Sequence, residues 1–130
     1  MPKGLIVMKY DDRSGIDRKA SFPQEELDIN SRTLMNIFSL HEFSKQAGIA
    51  SLTVGDINIV TYYTGVDLDY FIILILNVLE NPEDYEEDLQ EISQTILENL
   101  DDDKYIKMIP SFYKQIAEHT KKKKRTNFKI

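Results

Sequence analysis

"YFIILILNV", Tyr70 to Val78, opens with seven consecutive apolar residues, Tyr70 to Leu76, in a chain of 130 residues with a formal charge of -6. Three structures accommodate such a run: a membrane segment, a core helix, or a strand buried on both faces. A membrane-spanning helix needs about 20 apolar residues, and no stretch of this sequence approaches that. Isoleucines and aromatics favour strand over helix. So do the turn residues on either side, "TGVDLD" before and "ENPED" after. A strand with one wet face alternates apolar and polar residues. This one does not, so both of its faces are expected to be covered. "GLIVMKY", Gly4 to Tyr10, reads the same way. The sequence therefore predicts two central strands in a sheet packed on both sides.

The chain is 42% hydrophobic and 29% charged, ordinary for a globular protein, and its length suits one domain. A domain near this size buries roughly two-thirds of its unfolded surface. With no cysteine there is no disulfide framework, no thiolate metal site and no cysteine nucleophile. The start, "MPKGLIVMKY", has too short an apolar run for a signal peptide, so a cytoplasmic location is expected.

Around the two strands, "DDRSG" is turn chemistry, with Gly15 free to take a positive φ. "IDRKASF" is polar and stops at Pro23, as an edge strand does. "SRTLMNIFSLHEFSKQAG" reads as a helix capped by Asn30 or Ser31, with Gly48 at a left-handed C-cap. Leu34, Ile37, Phe38 and His41 form its 3.6-residue stripe. "IASLTV" and "INIVTYY" are strands joined by a Gly55-Asp56 turn. In "NPEDYEEDLQEISQTILENL", Asn81 caps a helix, Pro82 takes its first position, and Tyr85, Leu89, Ile92, Ile96 and Leu100 make its apolar stripe. "DDDKYIKMIPSFYKQIAEHTKKKK" is a last helix, kinked or split by Pro110.

The order strand, strand, helix, three strands, two helices resembles the longin domain, a profilin-like fold, from Gly4 to about Thr120. The stretch "LMNIFSLHEFSKQAGIASLTVGDINIVTYYTGVDLDYFIILILN" is similar to stand-alone longin or roadblock-type proteins of archaea related to eukaryotic trafficking systems. Longin ranks above roadblock because roadblock domains add a helix before the first strand. The resemblance implies an α+β fold: a five-stranded, mostly antiparallel sheet sandwiched by one helix on one face and two on the other. It also implies a non-catalytic interaction or scaffold module that binds or regulates a small Ras-type GTPase or a trafficking-type complex. The alternative is a small-ligand sensor of profilin-like fold. Against it, the strands are filled with large apolar side chains and offer few inward polar groups to orient a ligand.

The catalytic inventory agrees with a binding role. His41, on the apolar side of its helix, reads as a packed, hydrogen-bonded group, and His119 is the other histidine. Asp67 and Asp69 resemble a metal pair but sit in a turn, where aspartate is common. Asp101, Asp102 and Asp103 read as a helix-start cluster favoured by the dipole. There is no P-loop, dinucleotide fingerprint or nucleophile elbow. Arg13, Arg18 and Arg32 read as surface residues, not as a GTPase finger. The expectation is no catalytic residue, no cofactor and no metal.

Charge divides the chain in two. Residues 1–120 hold ten cations against 22 acids, a charge of -12, and "KKKKRTNFKI" holds six positive charges. The 24 residues from Glu80 to Asp103 hold 11 acids and no base, which reads as a solvated helix face. An acidic body argues against nucleic-acid binding. Residues 121–130 are set apart as a basic tail. Lys121, Lys122, Lys123, Lys124 and Arg125 are expected to extend the last helix, where positive charge meets the negative dipole end. There they present a patch to an anionic surface, a lipid layer or a neighbour's acidic helix.

The expected partner surface is the first helix with the third strand, "IASLTV". That helix is apolar all round, with Met35, Leu40 and Phe43 lying off its stripe. Ile49, Ser51, Leu52 and Thr53 stand on the strand, an edge whose unpaired N–H and C=O groups would template another strand. A homodimer, or a heterodimer with a similar domain, follows.

Overall fold

The computed structural model describes residues 2–23, 29–42 and 46–127, with side chains except those of Ser31, Glu42 and residues 120–127. The strands are β1 (Gly4–Asp11), β2 (Gly15–Phe22), β3 (Gly48–Val54), β4 (Ile57–Tyr63) and β5 (Tyr70–Asn77). The helices are α1 (Ser31–Glu42), α2 (Glu86–Glu98) and α3 (Ile109–Asn127). The fold is α+β, and the strands form one antiparallel sheet in the order β2-β1-β5-β4-β3.

The run that opens β5 occupies the centre of this sheet, and all seven of its apolar residues are buried. Strand side chains alternate between faces. Tyr70, Ile72, Leu74 and Leu76 enter a core shared with Leu89 and Ile96 of α2 and Ile109 and Ile116 of α3. Phe71, Ile73 and Ile75 enter a second core with Ile37 of α1. The missing alternation is thus two dry faces read in turn. β1 behaves likewise, with Leu5 and Val7 in one core and Ile6 and Met8 in the other. β4 is interior as well, so three strands are interior rather than two.

The edges differ. β2 is polar and half exposed along its length, and its register with β1 shifts between Val7 and Met8. Such an irregularity twists an edge away from flat pairing. β3 closes the other edge and pairs with β4 through all seven of its residues.

Local chemistry accounts for the element ends. The Asn30 Oδ1 accepts from the Thr33 backbone N–H at 2.8 Å and from its hydroxyl at 2.9 Å, capping α1. Gly48 is not a left-handed cap. It opens β3 opposite Tyr63, and the positive-φ glycines are Gly15, Gly55 and Gly65. Asn81 accepts from the Glu83 N–H at 3.1 Å and Pro82 follows, but this first turn is a 3-10 turn, and α2 starts only at Glu86. Pro110 falls in the first turn of α3, just after the 3-10 segment passes into it, and the kink in this stretch lies at Asp102 and Asp103 instead.

The acidic triplet is not a simple helix start. Asp101–Met108 is a 3-10 segment broken where Asp102 and Asp103 take φ of 57° and 55°. Aspartate tolerates that left-handed region better than most residues. The α3 backbone continues through residues 121–125, so the basic run prolongs this helix. Among the described residues, no helix is long and apolar enough to cross a membrane.

Candidate functional site

Among the described residues, α1 packs on the Phe71-Ile73-Ile75 face of the sheet. Between α1 and the ends of β1, β4 and β5 lies a groove of about 430 Å³. Its walls are rings. Phe38 meets Phe71 edge-on at 4.6 Å, Tyr63 stacks on Phe71 at 4.7 Å, and Tyr10 meets Phe38 at 6.3 Å. His41 lies 5.5 Å from the Tyr63 ring. Met35, 63% exposed, and Val66, 54% exposed, form the rim.

Asp69 is fixed in this groove from three sides. It takes φ 56° immediately before β5. Its backbone N–H donates to the Gly65 carbonyl at 2.8 Å, and its carbonyl accepts from the Tyr10 N–H at 2.9 Å. The Tyr63 hydroxyl donates to its Oδ1 at 2.5 Å. Burial, then the Asp69 carboxylate, push the Tyr63 hydroxyl well above its usual range. Burial lowers His41, which favours the neutral ring. Asp69 is the carboxylate among the described residues that line the groove.

The expected partner surface is distributed differently from one flat face. Met35 lines the groove with residues of β1, β4 and β5. Leu40 is 42% exposed, and five residues of helix turn it about 140° from Met35. Ile49 packs on the core beneath α2 and α3, whereas Leu52 packs on the core beneath α1. Ser51 and Thr53 are exposed. These four share the edge of β3, not one of its faces. Phe43 lies outside the described residues, as do the side chains of Lys121 to Arg125.

The remaining sequence candidates fall apart from one another. Arg13 and Arg18 sit on the β1–β2 hairpin and Arg32 in the first turn of α1, all exposed. Asp67 is exposed and apart from the Tyr63–Asp69 bond. Among the described residues, no group of three or more histidine, aspartate or glutamate side chains is placed to hold a metal ion.

Two arrangements were not anticipated. The Asp88 Oδ1 of α2 lies 2.7 Å from the His119 Nδ1 of α3, beside a groove of about 500 Å³ between those helices. At the other end of the sheet, buried Glu80 ties down the turn after β5. Its Oε1 accepts from the Asn77 N–H at 2.9 Å, and its Oε2 from the Tyr85 hydroxyl at 2.6 Å. The Asn58 amide donates to the Glu80 carbonyl at 2.9 Å. The turn so anchored holds Leu79 93% exposed.

Neither a scan of protein-family models nor a search of curated proteins returned a match for this chain.

Proposed function

We propose that this chain is a longin-like, non-catalytic interaction module that docks another protein along α1 and β3. Its partner is a small Ras-type GTPase, or a second longin or roadblock-type domain, including another copy of itself. Two features support the longin reading: the strand order β2-β1-β5-β4-β3, and the division of the apolar cores between α1 on one side and α2 with α3 on the other.

The observation that carries the docking role is β3. Among the described residues it ends the sheet with one hydrogen-bonded neighbour, its sequence "GIASLTV" has no charge and no proline, and Leu40 stands exposed on the helix that packs beside it. Edges without charge, proline or bulge invite another strand. Leu40→Glu and Ser51→Lys alter exposed positions, where stability changes stay within about 0.5 kcal/mol. The wild-type chain is expected to dimerise in light scattering, or to retain a GTPase from a panel tested with both nucleotides, and the double variant to do neither. A wild-type monomer that retains no GTPase would end this reading, as would a double variant that pairs like wild type.

The groove favours a second reading, a small-ligand sensor. Its volume falls in the usual range for small-molecule sites, and it has the fixed polar group that the strands alone did not promise.

A further inference from the structure

We propose that the groove between α1 and the start of β5 binds a small organic cation: a protonated amine on an apolar, preferably aromatic, body. The proposal rests on the sensor reading and adds to it the chemical class of the ligand.

Three observations converge on this class. The first is the carboxylate. Asp69 uses Oδ1 for the Tyr63 hydroxyl, and among the described residues no ion pair or further hydrogen bond engages its side chain. Its Oδ2 can accept a charged donor. The residue is half-buried, so such a bond is less screened than at an open surface.

The second is the wall. Phe38, Tyr63 and Phe71 form one ring cluster, and Tyr10 extends it outward. Aromatic faces attract cations through their quadrupole, most strongly where water is displaced. A carboxylate against several rings is the combination that suits an ammonium head on an apolar body.

The third is the absence of competing charge in the lining. Among the described residues no lysine or arginine lines the groove, and the basic side chain that does, His41, is held toward its neutral form by burial. An anionic ligand would meet Asp69 without compensation. A neutral apolar ligand would leave the carboxylate desolvated and unpaired.

The geometry is firm enough to select. Asp69 is held by two backbone hydrogen bonds in addition to the tyrosine, so its carboxylate is placed before any ligand arrives. The rim residue Met35 is free to close over a bound molecule, being an exposed, flexible thioether.

The test is titration with phenethylamine, followed by backbone amide shifts in a nitrogen-15 labelled sample, with phenethyl alcohol as the neutral control. Phenethylamine is expected to shift amides of residues 35–41 and 63–71, and to bind about tenfold more tightly than the alcohol. Asp69→Asn is expected to erase that preference. The variant should fold, because asparagine tolerates positive φ and its carbonyl still accepts from Tyr63. Met35→Lys, at the exposed rim, should weaken phenethylamine and spare the alcohol. Equal binding of amine and alcohol would overturn the cation proposal and leave the sensor reading standing. Shifts in neither titration would remove both.

Discussion

Asp88 and His119 join α2 to α3: the Asp88 Oδ1 lies 2.7 Å from the His119 Nδ1, with the carboxylate buried and the imidazole half exposed. The other Asp88 oxygen is buried and makes no hydrogen bond among the described residues. The pair therefore holds the acid in place at a position where apolar residues that follow it on α2, Leu89 and Ile92, form the core.

Removing the imidazole leaves a buried carboxylate with no side-chain partner among the described residues. His119→Ala is expected to destabilise the chain by about 1 kcal/mol, the low end for an orphaned acceptor, because the imidazole is half open to screening water. His119→Gln, which keeps an N–H donor, should recover part of the loss. Urea unfolding followed by circular dichroism measures both, and equal midpoints for wild type and His119→Ala would show that the contact is idle.

Glu80 should matter more. Burial works to raise its carboxyl, donation from the Tyr85 hydroxyl and the Asn77 N–H works to lower it, and the net shift is downward. Glu80→Gln turns one acceptor into a donor facing these donors, at an expected loss of about 2 kcal/mol. A lowered carboxyl stabilises the fold above its unfolded pKa, near 4.5, and this contribution is lost as pH falls through the lower folded value. Stability of the wild type should therefore drop on acidification below 4.5 more steeply than that of Glu80→Gln. Parallel profiles would contradict the assignment.

His41 acts one range higher. Burial lowers its pKa from 6.5, so the unfolded chain takes up the proton first. Stability is fully present above 6.5 and declines as pH falls below it, the same sign as for Glu80 but at a separate pH. Replacing His41 with phenylalanine should flatten the profile just below 6.5. A profile unchanged by the substitution would mean that His41 does not contribute to it.

The basic run makes a prediction about surfaces. Residues 121–125 prolong the α3 backbone from an acidic body, which concentrates positive charge at one helix end. Deleting residues 121–130 should reduce sedimentation with anionic liposomes and leave neutral liposomes unaffected, and added salt should weaken the difference. Identical behaviour of both proteins on both liposomes would remove any surface role for the run.

What the sequence discloses and what it hides follow from one distinction. Tyr70 to Leu76 announces a two-faced strand because each residue answers only to its own burial, and Asn81-Pro82 announces a helix start because the capping chemistry is local. The groove is another matter. Tyr10, Phe38, Tyr63 and Phe71 come from four elements, and only the strand order brings their rings together. Asp69 reads as a turn residue from its neighbours, which is correct, yet its side chain answers to Tyr63 across the turn. Asp88 left a fainter trace: it lies four residues before Ile92, on the apolar stripe where a charge needs a partner. Gly48 misled because a glycine after a helix suggests a left-handed end, while here it lies at the first position of β3.

The strand order has a consequence for how the molecule forms. β1 with β2, and β3 with β4 and β5, are each built from neighbours in sequence, joined by short turns. The sheet becomes one object only when β1 finds β5. That meeting closes a loop of roughly 60 residues, and the entropy lost in closing it comes before any stabilisation from the pairing. The pairs Ile6–Ile73 and Val7–Ile72 are then expected to form in the rate-limiting step, as the seam between two independently started halves. Conservative truncations along that seam, and within the β3–β4 hairpin that forms before it, should slow folding more than they hasten unfolding.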